Sequence, residues 1–186
     1  VCSFDFDDMH LVNKYAQRDR TIPKKPASNG DYGTVTEVQE NSVITFNKGT
    51  LSCSDDKGGA KVFFQYLPFG VNDTYVFGCD VKVTKAEKDW MGPRFIFGKN
   101  SKGEEIALFF TKGNLLVVEG TKQIHSLNFS RDQGATYRFD MLIEPSRISV
   151  WVNDILLIDN VKTSPKDEAM TGVLFENTVS QISNIT

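Results

Sequence analysis

The sequence is poor in the residues that most chemistry requires. It has two His, three Cys and two Trp in 186 residues. No His or Cys set stands at a zinc-ligand spacing. No phosphate-cradling glycine loop occurs, and neither His10 nor His125 has a Ser or Cys beside it in a recognisable triad. No apolar run approaches the roughly 18–20 residues that span a bilayer, so membrane insertion is not expected. Lys and Arg (21) are outnumbered by Asp and Glu (24), for a formal charge of −3. That balance gives no electrostatic reason to expect nucleic acid as a partner. No repeat of 20–50 residues is visible, which argues against a propeller or solenoid. No signal peptide is present, yet the chain starts at Val1 and stops within strand-like sequence. It is therefore expected to be a processed domain from a larger polypeptide.

Cys2, Cys53 and Cys79 are odd in number. Cys53 is in phase with Leu51, and Cys79 with Phe77 and Val81, as buried thiols acting as small hydrophobes would be. A single disulfide, which would suit an exported protein, stays open. The triplets at 72–74, 128–130 and 184–186 match the N-glycosylation pattern, but a chain rich in Asn, Ser and Thr produces such matches by chance.

What the chain does have is apolar residues in strand phase. The hydrophobic fraction is 40%, with 14 Phe, enough for a sizeable core in one domain spanning 1–186. Residues 137–161, YRFDMLIEPSRISVWVNDILLIDNV, read as three strands joined by two tight turns. Pro145-Ser146 closes the first hairpin and sets Phe139 opposite Val152, Met141 opposite Val150 and Ile143 opposite Ile148. Asn153-Asp154 closes the second, because Asn and Asp tolerate the positive φ of a type I′ turn. Simple alternation then places Ile155 and Leu157 on the same apolar face, with Leu157 opposite Val150. Trp151 falls on the other face, opposite Asp140 and Leu156.

About fourteen short strands are expected, including 43–46, 51–54, 61–67, 74–84, 94–98, 105–111, 115–119, 123–127, 172–177 and 181–185. A further strand is expected at 3–6. One short helix is expected at 9–17, capped by Asp7 or Asp8. The polar stretch 18–33 reads as a long ordered loop or lid, because too little chain precedes it to fold alone. The fold class is all-β, a two-sheet antiparallel jelly-roll sandwich with one N-terminal helix.

This layout resembles the concanavalin A-like lectin/glucanase superfamily, and within it the laminin G-like and carbohydrate-binding-module branch. The resemblance is carried by the F-x-D-D run at 4–8, the VWVNDILL hairpin at 150–157 and the G-x-x-F-x-N run at 172–177. It implies two packed antiparallel sheets, one concave, whose face or edge binds a poly- or oligosaccharide, frequently with a structural calcium ion. It also implies an extracellular or cell-surface location. For Asp5, Asp7 and Asp8, helix capping leads over calcium ligation, since calcium takes six or more oxygens.

The glucanases of that superfamily use a Glu-x-Asp-x-Glu run whose alternation brings carboxylates to one face, and no such run exists here. Gln123-Ile124-His125 matches the Gln-Ile-His triplet of jelly-roll alginate lyases, but the other two strand motifs of those enzymes are absent. A non-catalytic, lectin-like, carbohydrate-binding domain is therefore the leading expectation. The alternatives are a glycan-active lyase or hydrolase and a laminin G-like protein-interaction domain.

Phase selects the candidate binding residues. With Phe95, Phe97, Ile106, Leu108 and Phe110 inward, Arg94, Ile96, Glu105, Ala107 and Phe109 point outward. With Ile124 inward, Gln123 and His125 point outward. Trp90 stands on the loop before Arg94. A flat aromatic ring and planar charged groups suit sugar recognition, which makes Trp90, Arg94, Glu105, Gln123 and His125 one expected site. The same residues also read as a solvated face with an Arg–Glu pair and a rim tryptophan. Trp151 reads either as a second sugar platform or as a residue covered by the 18–33 loop.

Overall fold

The structure is a computed structural model that describes residues 33–38, 44–47, 50–54, 59–64 and 69–186. In chain order the strands are β1 (Gly33–Val38), β2 (Ile44–Asn47), β3 (Thr50–Cys53), β4 (Gly59–Phe64), β5 (Tyr75–Ala86), β6 (Pro93–Lys99) and β7 (Glu105–Phe110). They continue with β8 (Asn114–Glu119), β9 (Lys122–Asn128), β10 (Thr136–Glu144), β11 (Arg147–Val152), β12 (Ile155–Lys162), β13 (Glu168–Glu176) and β14 (Thr178–Ser183). They pair antiparallel into two seven-stranded sheets, ordered β1-β4-β13-β6-β7-β8-β9 and β12-β11-β10-β5-β14-β3-β2. The protein is an all-β, two-sheet jelly-roll sandwich. The helix expected at 9–17, the strand at 3–6 and Cys2 lie outside the described residues. So does the expected 18–33 loop apart from Gly33, which begins β1. β1 occupies a stretch that was not singled out as a strand, although Thr34, Val35, Thr36 and Val38 are β-branched residues that fit one.

The β10–β11 hairpin has the register its sequence dictates, with Phe139 opposite Val152 and Ile143 opposite Ile148. Asn153 and Asp154 take φ values of 50° and 66°, the left-handed pair of a type I′ turn. β12 corrects the expectation. Val152 meets Ile155 and Trp151 meets Leu156, but Val150 then meets Ile158 rather than Leu157. A bulge absorbs the extra residue and makes Ile158 the buried side chain. A second shift restores the phase at Val161, which meets Ile148. Ile155, at the hairpin end, keeps its expected partner but is 63% exposed.

Between the sheets runs a chain of aromatic contacts through Phe77, Phe95, Phe139, Phe110, Tyr137 and Phe129, with ring centroids 4.9–6.3 Å apart. Each fully buried Phe contributes roughly 1.5–3 kcal/mol. Cys53 and Cys79 are buried in this core, and burial pushes the Cys79 thiol up.

The outer face of the first sheet carries the outward Ile96 and Ala107 expected from alternation, and it buries them. Ile96, Ala107 and Val118 form a second buried apolar cluster there, with Phe63, Leu116, Met170 and Leu174 packed against it. Gly172 is required in this cluster, because a Cβ would overlap the Phe63 ring and the Val62 carbonyl. Lys61 on β4 reaches Glu105 on β7 at 2.8 Å, across β13 and β6. In register Lys61 lines up through Leu174 and Arg94 with Phe109, four residues from Glu105, so the pair crosses this face diagonally.

Candidate functional site

The outer face of the first sheet ends, toward the loops, in an open cleft of about 530 Å³. Its apolar floor comes from Phe109 on β7 and Leu116 on β8, which stand opposite each other in register. Phe109 and Phe110 are adjacent in a strand, so one ring enters the cleft and the other enters the core. Trp90, on the β5–β6 loop, stands at the cleft and is 55% exposed, whereas Phe109 is 7% exposed. An indole that large and that open leaves much of its surface to solvent rather than to the core. The polar lining comes from Asp89, Lys112, Asn114 and Ser130. Asp89 and Lys112 form an exposed ion pair at 3.0 Å.

The turn from β7 to β8 is fixed by its own hydrogen bonds. The Thr111 amide donates to the Asn114 carbonyl at 3.0 Å, and the Asn114 amide donates back to the Thr111 hydroxyl at 2.9 Å. The Phe129 amide donates to the Gly113 carbonyl at 2.9 Å, which ties the β9–β10 loop to this turn. The Asn114 amide side chain and the Ser130 hydroxyl make no hydrogen bond among the described residues, so their donors and acceptors remain available to a ligand.

Arg94 borders this cleft. Its guanidinium lies over the Phe109 ring at 4.5 Å, and Nη2 donates to Glu176 Oε2 at 3.2 Å. Its Nε is buried without a hydrogen-bond partner. Trp90 and Arg94 are thus brought together through Phe109. Glu105 is not part of that group: it lies four residues from Phe109 on the same face, about 13 Å along the strand, and is held by Lys61.

Gln123 and His125 separate. Gln123 stands opposite Val118 on the outer face, and His125 opposite Val117, whose side chain is in the core. A bulge between Val117 and Val118 inserts Ile124 and turns His125 toward the core-facing side of the edge strand β9. The expectation that both point outward is corrected accordingly. Trp151 is half-buried on the outer face of the other sheet, between Asp140 and Leu156. Beside it Arg138 donates to Asp140 Oδ1 at 2.9 Å and to the Asn184 carbonyl at 2.9 Å.

Sequence reasoning found Trp90 and Arg94 but not Asp89, Lys112, Asn114, Leu116 or Ser130. Lys112-Gly113-Asn114 was legible only as a turn, and its approach to Trp90 depends on contacts across the fold. Among the described residues no three His, Cys, Asp or Glu side chains are grouped to hold a metal ion. Asp5, Asp7 and Asp8, weighed above for calcium, lie outside the described residues. No described helix is long and apolar enough to cross a membrane.

No family model and no curated protein matches the chain. Solved structures do. The carbohydrate recognition domain of Emp46p, in its metal-free form, is similar with a TM-score of 0.64 and 8% identity, over 97% of this chain and 95% of that one. The carbohydrate-binding module CBM66 from Bacillus subtilis gives 0.60 and 11% identity, over 83% and 94%. A sialidase gives 0.59 and 11% identity over 83% of this chain, though only 16% of that chain is covered. At these identities the likeness is one of fold, shared with lectin-like and carbohydrate-binding sandwiches.

Proposed function

We propose that this protein is a non-catalytic carbohydrate-binding domain of the concanavalin A-like type that holds a poly- or oligosaccharide in the cleft beside Trp90. One observation carries the reading: an indole 55% exposed stands over an apolar floor with unused polar groups at its edge. That combination suits a sugar, whose C–H face packs on an aromatic ring while its hydroxyls need planar donors and acceptors. The neighbours in fold named above are carbohydrate-binding proteins, which supports the same reading and an extracellular or cell-surface setting. The sialidase match, confined to a small part of a long chain, supports a module within a larger polypeptide.

Two features favour binding over catalysis. Asp89 is the single carboxylate lining the cleft among the described residues, whereas glycoside hydrolysis uses a facing pair. Gln123 and His125 lie on opposite sides of β9, which speaks against a lyase built on both.

The test is retention on a panel of immobilised polysaccharides, with Trp90→Ala as the comparison. The wild type is expected to be retained on at least one, and Trp90→Ala to lose about tenfold or more in affinity, the scale of one aromatic stacking contact. Because Trp90 is exposed, the variant should keep the wild-type melting temperature to within a degree or two. No retention on any polysaccharide sinks the proposal.

A further inference from the structure

Arg131, on the β9–β10 loop, is 7% exposed, and among the described residues it has no ion-pair partner. Its side chain makes one hydrogen bond, from Nη1 to the Phe110 carbonyl at 3.4 Å, and lies 5.2 Å from the Phe110 ring centroid. A guanidinium carries five N–H donors, so most of its capacity is unused. An unpaired charge is costly to bury, and a site that retains one has a use for it.

The surroundings indicate that use. Arg131 lines a pocket of about 160 Å³ together with Lys85, Asp89, Lys112 and Gln133. Among the described residues Arg131 and Lys112 both face this space, and the one carboxylate there, Asp89, is paired with Lys112 rather than with Arg131. The pocket is built rather than incidental. The Arg131 amide donates to the Lys112 carbonyl at 2.7 Å, and the Lys112 amide donates to the Asp89 carbonyl at 3.0 Å. Gln133 Nε2 donates to the Thr84 carbonyl at 2.6 Å. Gly92 guards the anchor of Arg131, since a Cβ there would overlap the Phe110 carbonyl.

Asp89 and Lys112 also line the Trp90 cleft, so the two spaces share one wall. That wall is an exposed ion pair, which water screens to a weak interaction, so Lys112 can turn from Asp89 to a ligand at little cost. We infer that the pocket receives the anionic group, a carboxylate or sulfate, of an acidic glycan whose ring lies against Trp90. This rests on the carbohydrate-binding reading of the cleft. Burial lowers Arg131 to about 10, with Tyr137 and Asp89 acting in the opposite direction, so it is charged at neutral pH. Its planar fork matches a carboxylate or sulfate edge, and the shielded setting strengthens each charge-assisted bond.

A glycan array carrying carboxylated, sulfated and neutral glycans tests this, with wild type, Arg131→Gln, Lys112→Gln and Trp90→Ala as probes. The wild type should bind acidic glycans, and methyl-esterification of a bound uronate glycan should abolish its signal. Arg131→Gln should weaken binding about tenfold or more. Lys112 is exposed, so Lys112→Gln keeps the fold and should weaken the same glycans about threefold even if Arg131→Gln fails to fold. Binding of neutral glycans that both charge variants leave intact overturns the acidic-glycan assignment while the carbohydrate reading stands. Binding of nothing overturns both. Inorganic sulfate or free glucuronic acid competing as well as the glycan itself identifies a free-anion site and also overturns the assignment.

Discussion

Tyr75 carries its phenol into the sandwich, where the hydroxyl meets Thr171 Oγ1 at 3.2 Å and the ring stacks on Phe69 at 4.1 Å. Burial pushes the phenol up to about 12 from 10.0, and the Thr171 hydrogen bond only partly offsets this. A raised folded-state value means the contribution is fully present below pH 10 and is lost as pH climbs toward 12, because the unfolded chain ionises first. Cys79, also raised by burial, acts in the same direction. Tyr75→Phe leaves the Thr171 hydroxyl without its partner, so the variant should be about 1 kcal/mol less stable at pH 7. That gap should shrink toward zero by about pH 11, where the wild type bears the ionisation cost and the variant does not. Denaturant unfolding at pH 7, 9 and 11 checks this, and a pH-independent gap would contradict it. Arg94 shows where residue-level reading stops. Phase alone placed its side chain on the outer face, but its salt bridge to Glu176 and its stacking on Phe109 depend on β13 and β7 lying to either side of β6.

Hairpins were the most legible elements, because turn chemistry and alternation constrain them together. The whole β10–β11 register follows from Pro145-Ser146 and the apolar set on one face. What alternation missed were the bulges at β9 and β12, since an inserted residue leaves no mark in the pattern. Each bulge moved a residue that mattered: His125 turned toward the core side, and Ile158 took the core place expected of Leu157. The type I′ turn itself gives a prediction. Asp154 holds φ at 66°, and Asp154→Gly relieves that position, so thermal unfolding should show about 0.5 kcal/mol of stabilisation. On β13 the sign reverses. Gly172→Ala drives a methyl into the Phe63 ring and the Val62 carbonyl, and should cost about 2–3 kcal/mol. A neutral Gly172→Ala would mean the outer apolar cluster is looser than described.

At the scale of the molecule, the fold was legible and the site only partly so, for one physical reason. Two amphipathic sheets are specified by short-range alternation that any stretch of the chain displays. The cleft is assembled at one end of the sandwich from the β5–β6, β7–β8 and β9–β10 loops, which hydrogen bonds between Asp89, Lys112 and Arg131 hold together. Those residues become neighbours only after the sheets have formed. The sandwich core supports that end, with Phe110 tying the aromatic core to Arg131. The chain has two Trp, so its NMR spectrum carries two indole N–H signals, which makes the central claim directly measurable. When a glycan retained by the wild type is titrated into the labelled protein, the Trp90 indole and the amides of Asp89 and 111–114 should shift together and saturably. The Trp151 indole should stay in place. Movement of Trp151 with a silent Trp90 would put the sugar on the opposite sheet and contradict the account.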